Sequence, residues 1–105
     1  MENLDELEVI RIYMIRAEDP QTLTETETIY KSKKLILMED ITSIEEADEE
    51  SQIEFNVKYL TILFTIYGES ICAVGKYSTF KDKFLKYREY IRDKEKNILH
   101  LTKGN

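Results

Sequence analysis

Carboxylates are the residues of this chain whose type and spacing most clearly suggest chemistry. Between Glu39 and Val57 there are eight acidic side chains and no lysine or arginine. Residues 1–57 carry 16 acidic and 5 basic side chains, a net charge of −11, whereas residues 58–105 carry 5 acidic and 10 basic side chains, a net charge of +5. One interpretation is a solvated loop. The other is a surface that faces a cationic partner, and the commonest cationic protein surface is one built for DNA.

The other chemically capable residues form no catalytic or metal-binding motif. Adjacent glutamates at 45–46 and 49–50 do not by themselves give the octahedral arrangement that Mg²⁺ requires. The single histidine, His100, lies between two leucines near a terminus, which indicates a structural or solvent-facing role, and Cys72 lies in an apolar segment, which indicates packing. The three glycines are isolated, so no glycine-rich loop can hold phosphate. We therefore expect no enzyme activity, no metal and no cofactor.

Length and composition predict one domain spanning residues 1–105. The chain has 105 residues, of which 42% are apolar, a composition that folds. One cysteine excludes an internal disulfide and a cysteine-based zinc site. The sequence lacks a membrane-spanning run and a signal-peptide pattern, so we expect a cytoplasmic protein without membrane contact. An acidic chain repels nucleic acid, so no direct binding of DNA or RNA is expected.

The elements that position these residues begin with a predicted helix over residues 3–17. Asn3 and Glu6 have the spacing of a capping box. Acidic residues in the first turn and arginines later suit the helix dipole. Apolar side chains recur at steps of three and four residues, at Leu4, Leu7, Ile10, Met14 and Ala17. The alternative is a strand, because residues 9–15 are rich in β-branched side chains. Pro20 ends the element.

The middle of the chain is predicted to be largely exposed. Residues 22–28 alternate threonine with leucine or glutamate, which is typical of an irregular segment or an edge strand. Residues 35–38 are a short apolar run and predict a buried strand. Residues 41–52 are interpreted as an acidic loop, with a weak helical turn at 43–46.

The clearest prediction is a β-hairpin with strands over 53–67 and 70–77 and a turn at Gly68–Glu69. Both strands are too apolar for a sheet with one wet face, so Leu63, Ile66 and Val74 should be buried beneath helices. A helix near 79–96, capped by Ser78, and a short strand over 98–101 complete the chain. The predicted fold is α/β of the α+β type: a small, mostly antiparallel central sheet flanked by an N-terminal and a C-terminal helix.

Three segments, in order, resemble the staphylococcal-type uracil-DNA glycosylase inhibitors, small acidic proteins that mimic DNA. Glu25-Thr26-Glu27-Thr28-Ile29 is similar to the family's Glu-x-Glu-Ser-Ile segment. Residues 59–77 resemble its hairpin, with small residues at 73–75. The segment from Phe84-Leu85 to Leu101-Thr102-Lys103-Gly104 resembles its closing helix and last strand.

The resemblance implies an inhibitor that occupies the DNA-binding groove of uracil-DNA glycosylase and blocks uracil excision. Its carboxylates would replace phosphates, and an apolar pocket between sheet and helices would receive the wedge that the enzyme inserts into DNA when it flips a base. The implied phosphate-mimicking group is Glu25, Glu27, Thr28, Glu39, Asp40, Glu45, Glu46, Asp48 and Glu49. The implied pocket residues are Ile10, Met14, Ile29, Leu35, Leu37, Ile62, Phe64 and Leu85. Phe80 and Lys81 would contact the enzyme from a loop before the last helix.

The chain departs from that family in two places. Residues 29–35 are too short for the family's second helix, and Phe80 or Lys81 replaces a histidine that meets the enzyme. Two other interpretations remain open. One is an acidic decoy against another DNA-binding or defence protein, for example an anti-CRISPR. The other is a self-associating protein whose charged halves pair between copies, although a monomer is favoured.

Overall fold

The computed structural model describes residues 3–103, and the side chains of residues 3–98. It has an α+β fold in which five strands form one antiparallel sheet, in the order β2-β1-β5-β4-β3. The elements are β1 (Glu6–Asp19), β2 (Thr24–Leu37), a 3₁₀ turn (Met38–Asp40), β3 (Ile41–Glu46), α1 (Glu49–Glu54), β4 (Leu60–Thr65), β5 (Ser70–Val74) and α2 (Tyr77–Lys103).

The predicted N-terminal helix is wrong, because residues 6–19 form strand β1. This strand pairs with β2 over its whole length, from Glu6 opposite Leu37 to Asp19 opposite Thr24. The Asn3 side chain does accept a backbone N–H, but from Asp5 at 3.0 Å, which makes a turn rather than a helix cap. Both faces of β1 are covered near its middle, so the strand has apolar residues on both faces. Their spacing includes the steps of three and four residues that are typical of a helix. The β-branched residues fit the paired strand.

The β1–β2 hairpin continues beyond the sheet as a two-stranded arm, residues 15–28. Strand β5 pairs with β1 at Arg11 opposite Ala73, and residues 15–28 beyond it are all exposed. The arm contributes to an elongated molecule of 75 × 25 × 23 Å. Its turn is closed by the Leu23 N–H, which donates to the Asp19 carbonyl at 2.8 Å. The edge-strand interpretation of residues 22–28 is therefore confirmed for residues 24–28.

The β4–β5 hairpin is covered on both faces, by helix α2 on one and by the segments that flank α1 on the other, so the predicted helical cover is confirmed for one face. On the α2 face, Phe80, Phe84 and Tyr87 belong to a cluster with these sheet and 3₁₀-turn residues: Leu7, Val9, Ile36, Met38, Ile41, Leu63, Ile71 and Ala73. On the α1 face, residues flanking α1 cover a second cluster: Ala47, Phe55 and Val57 pack with Ile12, Leu60, Ile62, Cys72 and Val74.

The predicted burial of the hairpin holds for Leu63, which is 0% exposed, and in part for Val74, which is half-buried. It is wrong for Ile66, which is 57% exposed because β4 ends at Thr65 and Ile66 belongs to the turn.

Four further predictions of secondary structure are corrected. The acidic loop at 41–52 is instead strand β3 followed by most of α1, so the weak helical turn at 43–46 is a strand. The strand predicted from Ile53 begins only at Leu60, since 53–54 end α1 and Asn56 has a φ of 53°.

The predicted last strand at 98–101 is also wrong, because α2 continues through it to Lys103. Asn97 costs a helix only a fraction of a kcal/mol relative to alanine, so it does not end α2. Gly104, the last residue of the family-like ending, lies outside the described residues. None of the helices within residues 3–103 is long and apolar enough to cross a membrane.

The junction between β5 and α2 depends on Gly75. Its φ is +145°, and a Cβ atom there would lie 3.0 Å from Cε2 of Phe80, a core residue. We expect Gly75→Ala to lower the free energy of unfolding by about 2–3 kcal/mol through backbone strain and overpacking, as measured by urea denaturation. Gly68→Ala is the control. Gly68 has a φ of +75° with no atom within 4 Å of a built Cβ, so it should lose only about 1 kcal/mol. Equal losses would contradict the role given to Phe80.

Candidate functional site

Most of the predicted phosphate-mimicking acids lie along one edge of the sheet, on β3 and its two flanks. We call this group the acidic edge: Glu39, Asp40, Glu45, Glu46, Asp48, Glu49 and Glu50. All are exposed except Asp40, which is half-buried. Within the described side chains, the salt bridges involve other acids, and none of these seven carboxylates has a lysine or arginine nitrogen within 4.0 Å. The acidic edge is therefore a group of carboxylates without close internal countercharge, and it includes both faces of β3, since Glu45 and Glu46 are successive strand residues.

One member of the acidic edge has a structural task. The Asp48 carboxylate accepts a hydrogen bond from the Ser51 N–H at 2.8 Å and caps the start of α1. Hydrogen bonds from the side chain and backbone of Ser51 lower the pKa of Asp48, so its carboxylate remains charged to a lower pH. Glu49 and Glu50 follow in the first turn, where the helix dipole favours negative charge.

The arm carries a second group of acids on the α1 face. Glu27 lies opposite Arg16, and its Oε1 is 3.1 Å from the arginine Nε. The other end of the same guanidinium is 3.3 Å from Glu54 of α1. Glu25 lies opposite Glu18, and like charges in directly opposite positions destabilise a strand pair.

The structure does not bring Glu25 and Glu27 together with the acidic edge. Strands β2 and β3 are the two outer strands of the sheet, about 19 Å apart at the usual strand spacing. The arm also extends beyond the sheet. Thr28 points to the α2 face, away from Glu27, because successive side chains of a strand alternate.

The predicted apolar pocket between sheet and helices is wrong. Five of its residues form an open surface on the α1 face of the β1–β2 hairpin: Ile10, Met14, Ile29, Leu35 and Leu37. Four of them are between 38% and 58% exposed, and Met14 is half-buried. Ile62 and Phe64 lie on the same face in β4 and are half-buried, whereas Leu85 is exposed on α2.

The predicted contact loop before the last helix does not exist as a loop. Phe80 and Lys81 both lie in the first turns of α2. Phe80 is buried in the core, where a partner cannot reach it, and Lys81 is exposed.

Sequence reasoning missed a cleft of about 530 Å³ where the arm leaves the sheet. Its lining combines apolar side chains with charged ones, and includes Ile12, Met14, Phe55, Ile71, Cys72, Arg11, Arg16, Glu54 and Glu69. Next to it, the rings of Tyr13 and Tyr30 stack with centroids 5.5 Å apart, and the Arg11 guanidinium lies 4.7 Å from the Tyr13 centroid. Only Met14 of the predicted pocket lines this cleft, because its walls depend on the β1–β5 pairing, which no local pattern indicates.

Cys72 supplies a thiol to the cleft lining. Burial raises the pKa of the Cys72 thiol, so less thiolate is present at neutral pH than for an exposed cysteine. We expect iodoacetamide to alkylate Cys72 several-fold more slowly in the folded protein than in guanidinium, as followed by mass spectrometry. Equal rates in the two conditions would show that the thiol is neither shielded nor suppressed.

The acidic edge and the cleft beside the arm are thus the two surfaces with distinctive chemistry. Within the described residues, no group of three or more histidine, cysteine, aspartate or glutamate side chains has the arrangement of a metal site. Comparison with protein-family models, curated proteins and solved structures found no match to this chain.

Proposed function

We propose that this protein is a DNA-mimic inhibitor that occupies the DNA-binding groove of a uracil-DNA glycosylase and blocks uracil excision. The observation that carries the proposal is the acidic edge, a group of seven carboxylates without a close cation among the described side chains. Such like-charge crowding opposes folding through self-repulsion. The field of this edge would attract a partner with a basic surface, and the family resemblance of residues 25–29 indicates the glycosylase as that partner.

The arm and its cleft are the proposed contact region. Glu25 and Glu27 would take the places of phosphates and accept charge-assisted hydrogen bonds from the enzyme. Arg16 holds Glu27 in position by the 3.1 Å contact. The cleft lies beside Arg16, and its apolar lining at Met14, Phe55 and Cys72 would receive the enzyme's wedge.

A protein surface of this kind avoids costs that real DNA imposes. A glycosylase must unstack and flip a base, which costs a few kcal/mol. The inhibitor presents its carboxylates on paired strands that are already ordered, so less free energy is lost on binding.

The acidic edge would act mainly before contact. Its carboxylates create a negative field that steers the basic groove of the enzyme towards the inhibitor, an effect that raises the association rate and weakens with salt. The protein itself would have no catalytic role, and it would act in the cytoplasm, where its target meets DNA.

The direct test is a uracil-excision assay with a family-1 bacterial uracil-DNA glycosylase and a fluorescent uracil-containing duplex. We expect loss of excision at a nearly equimolar ratio of inhibitor to enzyme. In parallel, anisotropy of the same duplex without enzyme should remain unchanged when the protein is added, which excludes masking of the DNA. Unhindered excision at about tenfold excess of the protein would overturn the proposal. A pull-down from bacterial lysate would then show whether another DNA-binding protein is the target.

A further inference from the structure

Strand β2 is an outer strand of 14 residues whose outer edge is not covered by the other described elements. It is the first strand in the sheet order, and β1 is its only strand neighbour within the described residues. Helix α2 makes its main contacts with β3 and β4 and shares a cluster with Ile36 near the end of β2, outside residues 24–34. A long outer strand presents a row of unpaired N–H and C=O groups and is a template for pairing with another chain.

The side chains of β2 on the α1 face follow a self-complementary order: Glu25, Glu27, Ile29, Lys31 and Lys33. Two acids precede a central isoleucine, and two lysines follow it. The residues opposite Lys31 and Lys33 on β1 are Ile12 and Ile10, so neither lysine has a carboxylate directly opposite, although the Lys33 Nζ lies 4.0 Å from the carboxylate of Glu8, its diagonal neighbour on β1. Glu25 faces another acid, Glu18. Among the described side chains, Glu25 and Lys31 therefore have no ion pair within the hairpin, and the Lys33–Glu8 pair is long and exposed.

We propose that two copies of this chain associate through their β2 strands, paired antiparallel about a twofold axis at Ile29, into one continuous ten-stranded sheet. In this register, Glu27 of each copy lies opposite Lys31 of the other, and Glu25 lies opposite Lys33. All four charges of both copies are paired on one face. This inference depends on the edge of β2 and not on the proposed function.

The register follows from the alternation of side chains. In an antiparallel pair, opposite residues point to the same face, so only residues of equal parity can be opposite in a continuous sheet. A centre at Tyr30 would leave Glu25 opposite Leu35 and Ile29 opposite Lys31. A centre at Lys31 would place the two Lys31 side chains together. The Ile29 centre alone pairs both acids with both lysines.

The same register accounts for exposed apolar side chains outside the charged segment. It brings the turn of one arm, with Leu23 at 78% exposure, beside Leu35 on the other copy's open apolar surface. Residues 24–34 of both copies would form about ten backbone hydrogen bonds, which is the number in a typical protein interface.

The dimer and the proposed inhibitor complex use the same carboxylates. Glu25 and Glu27 cannot serve a second copy and an enzyme at once, so an enzyme that binds the arm would displace the second copy and form a 1:1 complex. The acidic edge lies on β3, at the outer ends of the ten-stranded sheet, and stays accessible in both states.

Sedimentation equilibrium of the full chain with charge-reversed variants tests the pairing. We expect wild type to show twice the 12.5 kDa mass of one chain. Glu25→Lys with Glu27→Lys, and separately Lys31→Glu with Lys33→Glu, should each raise the dimer dissociation constant at least 100-fold. An equimolar mixture of the two variants should recover a heterodimer, because every reversed charge then faces its opposite. Circular dichroism verifies that each variant is folded.

Matched controls place the same charge changes on α2. Glu89→Lys with Glu95→Lys, and Lys86→Glu with Lys96→Glu, alter exposed helix residues and should leave the dimer intact. A monomeric wild type would overturn the proposal and would assign the lysines the role of protecting the edge from pairing. A dimer that survives both reversals on β2, or a mixture without heterodimer, would also overturn it.

Cysteine crosslinking tests the register independently of charge. In a Cys72→Ser background, Ile29→Cys places two thiols at the twofold axis, where opposite Cα atoms lie about 4.5–5.5 Å apart, within disulfide range. We expect oxidation to give a covalent dimer. Thr26→Cys is the control, because residue 26 lies opposite residue 32 and the two introduced thiols stay apart. Crosslinking at position 26 and not at 29 would overturn the proposed register.

Discussion

Replacing Leu63 by alanine is expected to lower the free energy of unfolding by about 2–5 kcal/mol. Leu63 lies in β4 at 0% exposure and belongs to the cluster that joins the sheet to Phe80 of α2. Truncation removes apolar contact and leaves a cavity between sheet and helix, which the paired strands on either side of β4 cannot close. Urea denaturation followed by circular dichroism measures the loss as a lower midpoint at an unchanged slope.

The control for this prediction is Ile66→Ala in the turn that follows the same strand. Ile66 is 57% exposed, and an exposed side chain away from special features contributes within about 0.5 kcal/mol. An equal loss of stability in the Ile66 and Leu63 variants would contradict this prediction. It would show that the burial of Leu63 in β4 does not determine the size of the effect.

The elements that sequence reasoning located well are those whose signals are local. The hairpin of β4 and β5 has both strands and its turn within 15 residues, and its apolar density already requires cover on two faces. Helix α2 shows its packing face at Phe80, Phe84 and Tyr87, one or two turns apart. The helix extends further than predicted, to Lys103, but its type is as predicted.

The N-terminal strand was mistaken for a helix because its determinant is distant in sequence. Strand β1 is stabilised by 14 pairs with β2 and by β5, which lies more than 50 residues further along the chain. Its apolar residues serve two cores, with Leu7 and Val9 on the α2 face and Ile12 on the α1 face. Two interleaved patterns of period two contain steps of three and four residues. The spacing of apolar residues alone therefore does not distinguish a strand that is buried on both faces from an amphipathic helix.

The chemistry of the candidate site was more predictable than its shape. Charge counting identifies the acidic edge, since local sequence holds its carboxylates together. The cleft and the contact of Arg16 with Glu27 and Glu54 were not predictable, because they require the hairpin register and the position of α1. The predicted apolar pocket failed for the same reason. The pocket is predicted to lie between the sheet and an N-terminal helix. Residues 6–19 form strand β1 instead, so most of the predicted pocket residues lie on an open face of the sheet.

The second large effect is expected from neutralising the arm acids, with Glu25→Gln and Glu27→Gln in one variant. Truncating a carboxylate buried against cationic donors at an interface costs about 2–5 kcal/mol, or roughly 30- to several-thousand-fold in affinity. The free protein should remain folded. Glu25→Gln removes a like-charge pair with Glu18, and the exposed Glu27–Arg16 salt bridge contributes only about 0–1 kcal/mol. The inhibition constant from the uracil-excision assay measures the change.

The matched variant removes two charges from the acidic edge, with Glu49→Gln and Glu50→Gln. These carboxylates are exposed at the start of α1, so we expect less than about a tenfold loss, mostly in the association rate and diminishing as salt rises. Stopped-flow association at two salt concentrations separates this kinetic effect from a lost contact.

Self-association does not obscure the comparison, because it shifts inhibition in the opposite direction. Neutral arms weaken the β2 pairing and release more free chain, which alone would strengthen apparent inhibition. A loss of inhibition in the arm variant therefore reports a contact with the enzyme. If only the acidic-edge variant loses inhibition, the protein still acts as a DNA mimic, but its phosphate-like carboxylates lie along β3 and not on the arm. Glu25 and Glu27 would then serve the second copy of the chain alone.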